Sequence, residues 1–399
     1  MRDHALNREK RRQVPEEMPP GFRERYFSLF AGPEPETLHA DLYQRLIDDG
    51  TDEIIKQLKA YNQSRKELAQ KTRETIKVKK LKQDEKAASI RVVASDAGYN
   101  GVDLRSAYLP LYASAAVVTK GWTITDEPDY KAGDPDVWSD EFRPHDRESI
   151  LATKIQYEIT EEAVEHWEPK LVVFDGTLAM HFLMLPSIEF SEDYRQDVDE
   201  TLRSAVSLLQ TCFMRGIPLV GFAKRTRMSQ ICRSLGEPKM RDTALLDLVL
   251  NLGDYTEPEA KPTRGYVIDN YRKKAEEFGV PASTIPKITN FYSSYIRTGL
   301  TTPFRLEVPE YCLDRLEEIG TVLYTTSEEE NGIPFAICEA DRLTRVTTSV
   351  SNIRTLMIYS KALDLVEKGE MDMKDLTMLA LQHGEPWAIN DGETMSGMA

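Results

Sequence analysis

No stretch of this 399-residue chain approaches 18 consecutive apolar residues, so no membrane span is indicated. The opening, MRDHALNREKRRQVPEEMPP, lacks the apolar centre of a secretory leader, and a cytoplasmic protein is expected. Cysteine is scarce. Cys212, Cys232, Cys312 and Cys338 are scattered and form no CxxC or Cys/His pair, which argues for reduced core thiols and against structural zinc. There is no glycine-rich phosphate loop and no internal repeat. Positive charge is also short: 51 Lys and Arg against 66 Asp and Glu leave a net charge of -15, which disfavours indiscriminate nucleic-acid binding. What remains is ordinary for a folded protein, with 41% hydrophobic and 29% charged residues and length enough for two or three lobes around a sizeable core.

The charge is unevenly placed. Between Arg215 and Arg241 the chain carries Lys224, Arg225, Arg227, Arg233 and Lys239 against a single acid, Glu237. The segment SRKELAQKTRETIKVKKLK is also basic, whereas TDEPDYKAGDPDVWSDE is acidic and rich in Pro, Gly and Asp. Such runs are most often solvated faces, but a basic run can also hold a phosphate backbone.

Residues 1–85 read as a flexible polar arm followed by a helical extension, with Leu42, Leu46, Ile54, Ile55 and Leu58 near helical spacing up to about Lys86. Residues 86–385 form the main domain, and 386–399 a loose tail. IRVVASDAGYN reads as a strand ending in a turn, SAYLPLYASAAVVTKG as one or two more, and Arg147 to Trp167 as a helix. LVVFDG is a strand, EDYRQDVDETLRSAVSLLQTCFMRG a helix with a glycine stop, and IPLVGFAK another strand. TPFRLEVPE is a further strand, with helices after about Tyr311 and Ala340. This order predicts an α/β protein with a mixed sheet covered by helices and an N-terminal helical extension.

Two of these strands end on an acid followed closely by glycine: Asp96 in VVASDAGYN and Asp175 in VVFDGTL. Alone, each is a turn-former. As a pair, neighbouring strands of one sheet bring both to the same edge. The helix between them offers Glu158, at the edge of the Leu151, Ile155 and Ile159 stripe, or Glu162, almost stacked above Ile155. An acid on the apolar side of a helix is costly unless paired or bound to a cation. Asp341, in PFAICEADRLTRV, is a fourth, with a salt bridge to Arg342 or Arg345 as its plainer explanation. Asp, Glu, Asp and Asp in this order supply hard oxygen ligands suited to Mg²⁺ or Mn²⁺. Two such ions suit phosphodiester cleavage. The same order is found, by fold-level analogy, in ribonuclease H-like nucleases.

With VVASDAGYNG, KLVVFDGTLAM, IPLVGFAKRTRMSQI, RDTALLDLVL, TPFRLEVPE and GIPFAICEADRLTRV in order, the chain resembles the NurA-type nucleases over roughly Ile90 to Leu365. The resemblance makes residues 86–385 a NurA-like nuclease domain with a ribonuclease H-like fold. It implies a homodimer that degrades DNA with Mn²⁺ (or Mg²⁺) in a 5′ to 3′ sense, cuts single strands internally, and processes DNA ends in repair with a hexameric HerA-type ATPase. Carried over, Asp96, Glu158 (with Glu162 in reserve), Asp175 and Asp341 become metal ligands. Lys224 becomes the cation beside the scissile phosphate. Read from the residues themselves, Arg225 and Arg227 of the basic run and Tyr292, with Tyr295 and Arg297, of the interleaved ITNFYSSYIRTG are candidates to bind phosphate and stack bases along a strand of DNA, and Arg305 is a further candidate contact. The chain departs from the family in having Asp-Ala-Gly where Asp-Gly-Ser is common, and Asp341 where some relatives carry histidine. Two other readings stay open: a catalytically weak DNA clamp or adaptor that docks onto an ATPase, and an RNA-directed enzyme of the same fold.

Overall fold

The computed structural model describes residues 50–104, 107–138, 143–180, 191–260, 265–372 and 374. The expected polar arm of residues 1–20, Leu42 and Leu46, and the tail from 386 lie outside them. The chain divides into two units, Met1–Ser64 and Arg65–Ala399. Of the first, the described residues 50–64 are helical. No described helix is long and apolar enough to cross a membrane.

Helix α1 (Gly50–Thr75) is well signalled, with Asp52 and Glu53 in its first turn and Arg73 in its last, complementing the helix dipole. The helix expected up to about Lys86 stops eleven residues early, at Thr75. Thr75, Ile76 and Val78 are β-branched and poor at continuing it, and Val78–Lys80 becomes strand β1 instead. A single turn, α2 (Glu85–Ala88), leads into β2 (Arg91–Tyr99). A small ribbon of β3 (Val102–Asp103) and β4 (Tyr108–Leu109) stands apart from the main sheet. Then come β5 (Tyr112–Lys120), β6 (Thr123–Ile124), β7 (Asp129–Ala132), helix α3 (Pro144–Trp167) and β8 (Leu171–Asp175). Helix α4 (Glu192–Met214) precedes β9 (Leu219–Ala223), and two short helices come next, α5 (Gln230–Ser234) and α6 (Asp242–Leu246). Strands β10 (Asp254–Thr256) and β11 (Glu259–Ala260), helices α7 (Gly265–Glu277) and α8 (Ile285–Thr289), and the hairpin of β12 (Phe291–Ile296) with β13 (Phe304–Pro309) complete the sheet region. Helices α9 (Leu316–Thr325), α10 (Phe335–Leu343) and α11 (Thr348–Glu367) close the described chain.

Among the described residues, one eleven-stranded mixed sheet runs in the order β1, β10, β12, β13, β9, β8, β2, β5, β6, with β11 paired to β12 and β7 to β5. Its centre is parallel: β2 beside β8, and β8 beside β9. The flanks are antiparallel. Because helices cover both faces of the centre, the parallel strands carry continuous apolar runs, Val92–Ala94, Leu171–Phe174 and Leu219–Ala223, rather than alternating. Val172 and Phe174 of β8 pack with Tyr157 and Val164 of α3 and with Val206 and Leu209 of α4. Leu171 and Val173 pack with Val220 and Phe222 and with Leu316 and Ile319 of α9 and Ile337 and Ala340 of α10. The cysteines are all unpaired, and Cys212, Cys232 and Cys312 are buried.

Side-chain alternation decides which residues of these strands reach which face of the sheet. Val92 and Ala94 face α9 and α10, so Asp96 is next on that face. Leu171 and Val173 do the same for Asp175, and Val220 and Phe222 for Lys224. Ser95 and Phe174 point to the other side, where α3 lies.

Candidate metal centre

Each of the three central strands brings a charged side chain to the α10 face: Asp175 at the end of β8, Lys224 just after β9, and Asp96 within β2, three residues before its end; α10 adds a fourth. Carboxylate oxygens of Asp96, Asp175 and Asp341 all lie within 4.8 Å of one another. The Lys224 ammonium lies among them, 2.5 Å from Asp175 Oδ2 and 2.5 Å from Asp341 Oδ1. The first contact is an ion pair without hydrogen-bond alignment, since the buried Oδ2 of Asp175 accepts no hydrogen bond. Thr344 Oγ1 donates to Asp96 Oδ2 at 2.9 Å, and Arg345 donates to Asp341 Oδ2 at 3.1 Å.

The electrostatics are those of too many acids in too little water. Burial, and after it the charge of Asp96, pushes the Asp175 carboxyl up to about 8 against the pull of Lys224. Burial also raises Asp96, with Lys224 and the Thr344 hydroxyl opposing it. For Asp341, the cost of burial is outweighed by hydrogen bonds from Lys224 and Arg345, which hold its carboxyl below the usual range. Lys224 is itself disfavoured by burial, but Asp175, Asp341 and Asp96 more than offset this and raise its ammonium. Three hard oxygen donors, one of them buried without a hydrogen bond, match the donor set of a divalent cation.

Of the residues singled out in the sequence, the structure brings Asp96, Asp175, Asp341 and Lys224 together. It does not bring Glu158 to them. Helix α3 packs on the face of the sheet opposite the aspartates, and Glu158 pairs with Lys131 of β7 at 2.6 Å while Ser204 of α4 donates to it. Glu162 reaches the same lysine at 3.2 Å. Arg225 and Arg227 are exposed in the loop after Lys224. Tyr292 is half-buried against the α9 side of the core. Tyr295 is buried and donates to Asp242, and Arg297 donates to the carbonyls of Asp247 and Leu250. Arg305 is 4% exposed and lies 3.6 Å from the buried Glu307. Arg305 and Tyr292 therefore sit inside the sheet layer, whereas Arg225 and Arg227 are open to solvent.

Two contributors are absent from the sequence reading. Thr344, one turn beyond Asp341, has no signal of its own. Gln156 of α3 is 4% exposed, and its Nε2 donates to the carbonyls of both Ser95 and Asp175, at 3.0 and 3.1 Å. A polar residue in a helix passes for a solvent-facing one until its surroundings are known.

A family model described as the NurA domain matches residues 90–346. The chain belongs to the NurA domain family. Asp96, Asp175, Lys224 and Asp341 all fall within the matched span. This NurA-domain chain is similar in fold to the crystal structure of the NurA nuclease from Sulfolobus solfataricus, with a TM-score of 0.58 at 13% identity over 83% of this chain and 98% of that one. It is likewise similar to a NurA structure bound to dAMP and manganese, with a TM-score of 0.54 at 12% identity over 76% of this chain and 94% of that one. No curated protein matches the sequence. The fold class expected from the sequence, a mixed sheet flanked by helices, is the one found.

Proposed function

We propose that this NurA-domain chain is a metal-dependent deoxyribonuclease that hydrolyses phosphodiester bonds. The observation that carries the reading is the convergence of Asp96, Asp175 and Asp341 on one point of the sheet edge, where the buried Oδ2 of Asp175 has the Lys224 charge beside it but accepts no hydrogen bond. These three would hold Mn²⁺ or Mg²⁺. A divalent cation bound to them supplies activation of water and neutralises charge developing on the leaving oxygen. The remaining work belongs to the chain. Thr344 holds Asp96 in orientation through its hydroxyl, and Arg345 does the same for Asp341. Lys224 brings a positive charge to the sheet edge between Asp175 and Asp341, where it would stabilise negative charge growing on a phosphate bound there. Arg225 and Arg227, on the same loop and open to solvent, grip the backbone on either side.

The finer reading comes from the family resemblance: 5′ to 3′ exonuclease and single-strand endonuclease activity on DNA ends, as a homodimer with a hexameric HerA-type ATPase. A support for DNA rather than random polyanion binding is the placement of exposed Arg225 and Arg227 beside the acids in a chain of net charge -15. Cleavage of end-labelled single- and double-stranded DNA, with Mn²⁺, Mg²⁺ or EDTA, tests the reading. Wild type should cut with metal, and Asp96→Ala and Asp175→Ala, checked for folding, should not. Equal cutting by all three would assign the activity elsewhere. DNA bound but uncut by wild type, with and without the ATPase, would favour the adaptor role.

A further inference from the structure

The ladder between the two aspartate-bearing strands ends one residue before the aspartates. Parallel pairing of β2 with β8 runs from Val92 opposite Leu171 to Ser95 opposite Phe174. Beyond it, β2 remains tied only on its far side, where Asp96 lies opposite Ala115 of β5. Likewise β8 is tied on its far side, where Asp175 lies opposite Phe222 of β9. The last backbone rung is thus the one that makes the Ser95–Phe174 bridge, and past it the two strands part like a fork, with no further rung to set the width where each carries an acid.

Gln156 fills that role. A glutamine Nε2 carries two hydrogens, and here one is given to the carbonyl of Ser95 on β2 and the other to that of Asp175 on β8. Its neighbours on α3 fasten the same ends. The ring of Tyr157 stacks on Phe174 at 4.8 Å and its hydroxyl donates to the carbonyl of Leu178, while the hydroxyls of Thr160 and Ser95 lie 2.6 Å apart. We infer that Gln156 is a positioning residue that sets the separation of Asp96 and Asp175, its carboxamide standing in for the missing rung between β2 and β8. The inference rests on the nuclease reading, and it makes the contribution of α3 an amide donor beneath the site. A glutamate at 156 would not serve: an ionised carboxylate has no hydrogen to give and would face two carbonyl oxygens. Cation affinity in such a site depends on holding the carboxylates within a fraction of an ångström of their working geometry.

The competing view is that position 156 is a ligand position in which glutamine replaces an acid. The full chain and its Gln156→Glu and Gln156→Met variants separate the two. Val206→Ala, in the same core but away from the fork, serves as a control for lost stability. Mn²⁺ affinity and the hyperfine pattern of the bound ion would be followed by electron paramagnetic resonance, with kcat and KM on single-stranded DNA measured in parallel. Both Gln156 variants are expected to bind Mn²⁺ about tenfold or more weakly, to alter the bound-ion spectrum, and to lose kcat with little change in KM. Val206→Ala, melting at or below their temperatures, is expected to keep wild-type affinity and spectrum. Tighter Mn²⁺ binding by Gln156→Glu would overturn the inference in favour of a ligand position. Wild-type affinity and kcat in Gln156→Met would overturn it in favour of simple packing. Wild type that binds Mn²⁺ but never cuts DNA would end the nuclease reading, while the Mn²⁺ comparison would still decide the role of Gln156.

Discussion

The carbonyl oxygen of Thr344 lies where a side chain on Gly98 would begin, 1.9 Å from the position of a Cβ. The obstruction is backbone, at the end of the helix that carries Asp341, so it cannot be relieved by turning a side chain. Gly98→Ala should therefore push α10 off the sheet. Overpacking of this kind costs about 1–3 kcal/mol. It should also loosen Asp96, whose Oδ2 accepts from Thr344. A lower melting temperature together with weaker Mn²⁺ binding is expected; an unchanged melting curve would show that α10 yields freely.

Asp175 gives the metal-free protein a pH dependence of defined sign. Its carboxyl is pushed up to about 8 in the fold, while an unfolded chain holds it near 3.9 or so. Between these values the folded state keeps a proton that the unfolded state has lost. Stability therefore falls as pH rises through this window and levels off above about 8. Melting in EDTA from pH 5 to 9 should show the decline, and Asp175→Asn should flatten it and melt higher than wild type at the alkaline end. Since Mn²⁺ needs the ionised carboxyl, its affinity should climb over the same range. A flat melting profile for wild type would rule out this role for Asp175.

Lys224 and a divalent cation answer to the same two carboxylates. Replacing it by methionine removes an ammonium that lies 2.5 Å from both Asp175 and Asp341. Lys224→Met should bind Mn²⁺ about tenfold or more tightly, since the cation no longer competes with a fixed charge. It should nevertheless lose DNA cleavage. Weaker Mn²⁺ binding in this variant would mean that the lysine organises the acids more than it opposes a cation.

Glu158 offers a contrast with Asp341. It is engaged by Lys131 and Ser204 on the far side of the sheet. Glu158→Gln should keep most metal-dependent cleavage and lose no more than about 1 kcal/mol of stability, the scale of a partly exposed ion pair. Asp341→Asn should abolish cleavage. Reversal of the two results would return the helix carboxylate to the centre of the chemistry.

The pattern of legibility depends on what surrounds each residue. Asp96 and Asp175 stand out because each closely follows a continuous apolar run of a strand, a contrast visible in one line of sequence. Asp341 stands out less sharply, since Glu339 and Arg342 flank it on a helix that is otherwise largely apolar. Gln156 does not, because periodicity treats a polar residue as solvent-facing, whereas α3 is pressed between the sheet and α4 and buries Gln156 and Thr160 along with Ile155 and Ile159. Glu158 is drawn toward the site by spacing alone, which cannot say on which face of the sheet a helix will lie. Arg305 likewise reads as a basic residue in sequence, and its burial beside Glu307 depends on the pairing of β13 with β9 and β12.

Thr344 and the Asp96 that it holds are 248 positions apart, and Lys224 and Asp341 are separated by 117. During synthesis, the aspartates of β2 and β8 emerge long before α10 can be made, and a domain generally folds as a unit. A ribosome-bound chain that has just passed the end of β9 carries two of the three acids and Lys224 but not Asp341 or Thr344. On the proposed function, the enzyme cannot cut DNA while it is being made: its last third arms it.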